Sequence, residues 1–360
     1  MGSLHNLSVQ FRLLLIDPIK SILGLSLKTY VVVIDALDEC TNLGTVEKLI
    51  QAIVGFGLDM PLKFMVTSRV STKISKAFHH DSENPLKTLS LHDIERSIVQ
   101  EDIKTYLQNS LSAIVRRSEQ LEPLSWPVPD ELDILLERSD RLFIYAATAV
   151  RYIGAPDVDF RKRLAHITRL TPARMNTGII DSLYNDIMRQ AFHRELQSDE
   201  VSARRETLSA VVFPFVPLSL DAITSLSGMD RLEVQVALAP FRSVIHVPAA
   251  DINPVTIFHA SFPDFIVNPS RCEEPFRLDR FGGHRMLTVQ CLQCLNRSLE
   301  RDICSYPIPE ALRYSCLYWA SHLAQVLAAA LVQNAATESK PLSPHLSNSI
   351  FCTGLNVSAP

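Results

Sequence analysis

The stretch that most constrains this chain is Tyr30 to Cys40, YVVVIDALDEC. Val31 to Ile34 is a short, mostly β-branched apolar run that stops abruptly at Asp35, the pattern of a buried parallel strand. Asp35, Asp38 and Glu39 follow it. In open α/β sheets ligands bind beyond the carboxyl ends of the strands, so acids placed there suit a metal-bridged phosphate. A second unit, Lys63-Phe64-Met65-Val66-Thr67-Ser68-Arg69, sets hydroxyls and a guanidinium at another strand end. Two strands ending this way point to a nucleotide-handling α/β domain.

The order of elements supports that reading. Phe11, Leu14, Leu15, Pro18, Ile19 and Ile22 mark a helical face suited to packing on a sheet. An amphipathic helix is expected from about Thr45 to Val54, and a third short strand over Lys87 to Leu91. Asp93 or Ser97 is placed to cap the helix carrying Ile103, Tyr106, Leu107 and Leu111. The prolines of Glu119 to Asp130 mark a loop or linker, beyond which helices take over. The expected organisation is an α/β core over 1–112, a helical domain over 113–197, a winged-helix-like domain over 198–270, and a helical region over 271–333. A disordered tail is expected over 334–360. The wing is expected from Phe241 to Val247 and Val255 to His259.

Charge and cysteine usage exclude several classes. A net charge of −4, with dispersed basic residues, gives no electrostatic case for a nucleic-acid surface, including at the winged helix. Seven cysteines in 360 residues fit a reducing compartment better than a disulfide scaffold. The apolar run Phe11 to Ile16 ends at Asp17-Pro18 and lacks a cleavage signature, and no uncharged apolar segment is long enough to span a bilayer. The expectation is a cytoplasmic protein with neither membrane nor nucleic-acid partner.

Each candidate residue has a plain alternative. Asp35 suits magnesium, although an aspartate also caps turns after buried strands. Asp38 and Glu39 suit water orientation or metal support, or a solvated turn. Thr67, Ser68 and Arg69 suit contact with a terminal phosphate, or an ordinary strand end. Gly24-Leu25-Ser26-Leu27-Lys28-Thr29 fails as a phosphate loop. Leu27 stands where a glycine is required, and the lysine and threonine run into a strand rather than a helix. Cys291 and Cys294 have metal-ligand spacing, with His284 and Cys304 as third parties, but they lie on one helix without a second close pair and read as buried thiols. His246, His259, Ser261 and Asp264 hold catalytic residue types without a nucleophile elbow, so a turn carrying Phe262 and Phe265 inward is the expectation.

Taken as a series, these segments resemble fungal NACHT-domain STAND NTPases, basidiomycete-type NLR-like proteins often carrying WD40 repeats. Val31 to Cys40 resembles their Walker B region and Phe64 to Arg69 their sensor 1 strand. The likeness continues through Asp102 to Leu107, Leu142 to Ala147, Leu183 to Ile187, Leu218 to Leu220, His259 to Phe265 and Leu312 to Leu323, covering roughly 10–331. The resemblance implies an ASCE-type P-loop NTPase sheet using Mg2+ with ATP or GTP. It assigns Asp35 to the metal, Asp38 and Glu39 to the distal acidic positions, and Arg69 to the arginine after sensor 1. It also implies that the P-loop strand, which would separate strand 63–67 from strand 87–91, is missing, so that the chain is a fragment beginning after the P-loop.

The functional expectation is a NACHT-type nucleotide-dependent signalling switch, impaired here because no Gly-rich loop with Lys and Ser or Thr occurs. Two alternatives stand beside it. One is a non-enzymatic interaction or regulatory protein that self-associates or associates with NACHT-family proteins. The other is a truncated gene product with no independent activity.

Overall fold

Strand β1, Tyr30–Ile34, pairs in parallel with β2, Leu62–Val66, in the register Tyr30↔Leu62 to Ile34↔Val66. Helix Leu43–Gly57 forms the crossover between them, as a parallel pair requires. The computed structural model describes residues 7–23, 29–40, 42–57, 62–78, 87–117, 126–156, 158–169, 178–299 and 308–338. These residues fall into two compact units, 1–94 and 95–360.

In the first unit only one face of the strand pair is covered among the described residues. Ile34 and Val66 pack with Leu37, Val46, Ile50, Ile74 and Ala77, so helices Leu43–Gly57 and Thr72–Phe78 lie over the carboxyl half of that face. Val32, Leu62 and Phe64 pack with Phe11, Ile16 and Ile19 over the other half. Val31 and Val33 are each 61% exposed and Met65 57%. The expectation of a strand buried on both faces therefore fails among the described residues. The helices that cover the pair all serve the face of Val32 and Ile34.

Two further expectations are corrected here. Residues 87–90 make no ladder among the described residues and lead into the 3-10 turn Leu91–Asp93, so the third strand is not formed there. The first helix contains a π-turn at Arg12–Ile16. A π-turn inserts an extra residue and rotates the apolar face, so Ile16 is buried while Leu14 is 75% exposed and Ile22 76%.

The second unit is built on one apolar core. Helices Arg96–Arg117, Pro129–Ser139, Phe143–Ile153, Phe160–Arg169 and Ile179–Ala191 contribute Leu107, Leu135, Ala149, Leu164 and Leu183 to it. Helices Ser198–Val212, Leu220–Ser227 and Arg231–Leu238 follow, then an antiparallel hairpin of β3, Ile245–His246, with β4, Thr256–Ile257. The extended runs expected over Phe241 to Val247 and Val255 to His259 narrow to this two-residue ladder, since the 3-10 turn Ala239–Phe241 occupies the start of the first. Ser219 caps Leu220–Ser227, accepting from the Ala222 amide at 3.1 Å, as its position before an apolar run suggests. Helices Arg280–Leu299 and Glu310–Glu338 complete the described chain. The second enters the segment expected to be a tail and carries it as helix to Glu338; residues 339–360 lie outside the described residues.

Candidate functional site

The candidate site is the junction where β1 and β2 end. The Thr67 amide donates to the Ile34 carbonyl at 2.9 Å, and the Leu37 amide to the Thr67 carbonyl at 3.0 Å, extending the parallel pairing past the strands. Between these bonds the chain turns sharply at Ala36, whose φ of 52° is left-handed and disfavoured for a residue with a Cβ. The turn buries Leu37 in the core of the first unit and swings Asp35 outward.

Side chains close the junction. The Thr67 hydroxyl donates to the Asp35 carboxylate and accepts from the Ala36 amide at 2.9 Å. Asp38 accepts from the Arg69 amide at 2.9 Å and lies 3.5 Å from the Arg69 Nε. The Ser68 hydroxyl donates to the Arg69 carbonyl at 2.8 Å. Glu39 ends the 3-10 turn Leu37–Glu39 and is exposed. All six candidates of this region thus sit around one strand-end junction. Asp35 joins Thr67, Asp38 joins Arg69, and Glu39 stands apart from both pairs.

The Asp35–Thr67 arrangement fits one part of a magnesium–nucleotide site. Magnesium is commonly held by one or two carboxylates with the remaining positions filled by phosphate oxygens and water, so an exposed carboxylate beside a hydroxyl is an adequate protein share. An all-protein cage is absent among the described residues, where no three His, Cys, Asp or Glu side chains converge. Asp38 is tied to Arg69 and is held as a strand-end clasp. Residues 24–28 lie outside the described residues.

The other chemistry-bearing groups have structural employment. Cys291 and Cys294 are buried, and burial pushes the Cys291 thiol up to about 11, against metal binding and nucleophilicity alike. His284 faces His322 at 2.8 Å, Nδ1 to Nδ1, and Cys304 lies outside the described residues. His259 accepts from the Ser261 amide at 3.1 Å and contacts its hydroxyl at 2.7 Å, at the start of helix Ser261–Ile266. Phe262 and Phe265 are buried, each 5.2 Å from the Tyr184 ring, which is the inward role their spacing suggests.

The polar face of helix Ile179–Ala191 was not visible in sequence. Asp181, Asn185 and Asp186 are buried and serve as tethers. Asp181 holds the Arg271 guanidinium at 2.7 Å, Asn185 donates to the Arg271 carbonyl at 2.9 Å, and Asp186 meets His166 at 2.8 Å. Acids at these spacings ordinarily read as a solvated face, and only the partners brought from 166 and 271 bury them.

No family model matches the chain, and no solved structure is significantly similar to it. It is distantly similar to the vegetative incompatibility protein HET-E-1 of Podospora anserina, at 23% identity over 330 residues. The match covers 82% of this chain and 23% of that protein, so the chain corresponds to less than a quarter of its relative's length. Among the described residues no helix is long and apolar enough to cross a membrane. At the level of the superfamily, a mixed α/β region with a small parallel sheet, followed by an extended helical region and distantly related to a fungal incompatibility protein, agrees with the STAND and NACHT resemblance.

Proposed function

We propose that this chain is part of a NACHT-type nucleotide-dependent signalling switch using ATP or GTP with Mg2+. In this reading Asp35 is the metal-associated carboxylate, Thr67 and Ser68 report the presence of the phosphate, and Arg69 couples that report to the rest of the molecule. Asp38 and Glu39 occupy the distal acidic positions, Asp38 through its bond to Arg69. The observation that carries the reading is the Asp35–Thr67 hydrogen bond, which couples the two strand ends where a phosphate would sit. A phosphate and metal drawing on Asp35 compete with the Thr67 hydroxyl, and that competition is a means of transmitting occupancy from β1 to β2. None of the 360 residues forms a Gly-rich phosphate loop with Lys and Ser or Thr. Hydrolysis by this polypeptide alone is therefore impaired, and nucleotide acts on it as a weak ligand.

Titration of the chain with fluorescent ATP and GTP analogues in the presence of magnesium tests this. Weak saturable binding that disappears in Asp35→Asn, without turnover, is the expected result. An absence of saturable binding at millimolar nucleotide removes the nucleotide role from this polypeptide. It would favour the second reading, a non-enzymatic interaction protein, for which the exposed apolar sheet face of Val31, Val33 and Met65 speaks.

A further inference from the structure

The turn that ends β1 carries Asp38 on a rigid base. Leu37, the residue before it, is buried in the core of the first unit, and its amide is tied to the Thr67 carbonyl at 3.0 Å. Both oxygens of Asp38 are engaged by Arg69. Oδ1 accepts from the Arg69 amide at 2.9 Å, and Oδ2 lies 3.5 Å from the Arg69 Nε. The carboxylate is 17% exposed, whereas the arginine side chain is 56% exposed.

The two contacts differ in kind. The bond to the amide fixes the backbone of Arg69 just past β2, and any neutral acceptor of the same shape can make it. The contact with Nε depends on charge, and it partly neutralises a guanidinium on the exposed side of the junction. An ion pair with so exposed an arginine is weak. A phosphate offers a guanidinium a bidentate, charge-assisted partner, which is the stronger one. An anion arriving at the strand ends therefore draws the guanidinium away from Asp38, and Asp38, based on the buried Leu37, does not follow it.

We propose that Asp38 is a positioning residue that restrains Arg69, its carboxylate competing with the terminal phosphate of a bound nucleotide for the guanidinium. The restraint rests on the nucleotide reading of this junction. It gives Asp38 an effect opposite in sign to that of an acid serving metal or water, because its charge weakens nucleotide binding instead of supporting it. The backbone amide stays on Oδ1 while the side chain leaves Oδ2, so the arginine moves about a fixed pivot between two partners.

Asp38→Asn separates the two contacts, since an amide oxygen still accepts from the Arg69 N–H while the charge is gone. The measurement is titration of the full chain with a fluorescent ATP analogue and magnesium, in the parent, Asp38→Asn, Arg69→Gln and the double variant. Asp38→Asn should bind about twofold to fivefold more tightly than the parent, the worth of an exposed ion pair, and the gain should vanish in the Arg69→Gln background. Unchanged or weaker binding by Asp38→Asn, or an equal gain without Arg69, overturns the restraint. The nucleotide reading then still stands, provided that the parent binds and Asp35→Asn does not. An absence of saturable binding in every chain overturns both. A second readout needs no altered Asp38: in the 15N-labelled parent, saturating nucleotide should shift the Arg69 Nε–H resonance, identified by its loss in Arg69→Gln. A resonance that stays in place at saturation overturns the restraint.

Discussion

The Thr67 hydroxyl donates to the Asp35 carboxylate while accepting from the Ala36 amide, so one side chain just past β2 holds both an acid and a strained turn at the end of β1. Thr67→Val keeps the shape and removes both bonds. It should cost about 1–3 kcal/mol, the range for leaving hydrogen-bonding groups without their partner. Thr67→Ser should retain most of that stability. Urea denaturation of the two variants checks this, and equal midpoints would show that the hydroxyl does not hold the junction.

Ala36 has a separate test. Relief of a left-handed alanine is worth roughly 1–2 kcal/mol, against about 0.4–1 kcal/mol for the added freedom of an unfolded glycine. Ala36→Gly should therefore stabilise the first unit slightly, while Ala36→Val should destabilise it. A glycine variant that melts lower than the parent would contradict the strain argument.

These residues show what was legible in the chain. The run Val31 to Ile34 and the acids after it were enough to place a strand end at Asp35, because apolar continuity followed by charge is a local signal. The neighbourhood of Thr67 was also legible, since Phe64 to Val66 repeats that signal. What could not be read was the division of labour, in which Asp38 clasps Arg69 while Glu39 stands apart, because it depends on the turn at Ala36. The short helices and the hairpin of β3 and β4 were legible from proline-bounded extended runs. The uncovered sheet face did not emerge, because an apolar run looks the same whether one or both faces are packed. The buried acids of helix Ile179–Ala191 were hidden for the opposite reason: their partners lie far away in sequence.

Two glycines should respond oppositely to alanine. A Cβ at Gly283 would lie 2.2 Å from the Phe213 ring, so the start of helix Arg280–Leu299 can approach that ring only without a side chain. Gly283→Ala should cost about 1–3 kcal/mol as overpacking. At Gly55, within helix Leu43–Gly57, a Cβ meets nothing within 4 Å. Gly55→Ala should stabilise by about 0.8–1 kcal/mol from helix propensity alone. Thermal melts of the pair suffice, and shifts of the same sign would refute the contrast.

Asp181 and Arg271 form a pair in which the carboxylate is buried, 2% exposed, and the guanidinium half-buried, 29% exposed. Removing Arg271 strands the Asp181 charge away from water, so Arg271→Met should cost about 3–5 kcal/mol. Asp181→Ala should cost less, because the guanidinium left behind still reaches water. The double variant should lose less than the sum of the two, because neither charge is then left unpaired. Additive losses in a denaturation cycle would mean that the two residues act separately.

The last prediction concerns acid. His322 is buried, its Nε2 2.8 Å from the Tyr314 hydroxyl and its Nδ1 2.8 Å from the Nδ1 of His284. The Phe215 amide donates to the Tyr314 oxygen at 3.2 Å. Neutral rings satisfy the chain in one direction, from Tyr314 O–H to His322 and from His322 N–H to His284, whereas two protonated rings would oppose N–H to N–H. Burial, and then the neighbouring His284, lower His322 from 6.5 to about 4; His284 is itself lowered by burial and by Arg280. The unfolded chain therefore takes up a proton near 6.5 that the folded chain refuses until about 4. Since the unfolded state binds more protons in that window, this contribution to stability is full above it and is lost as pH falls through it. His322→Gln keeps hydrogen-bonding capacity without titrating. Melting temperatures recorded between pH 7 and pH 4 should fall more steeply for the parent than for this variant, and parallel profiles would remove His322 as the source of the acid sensitivity.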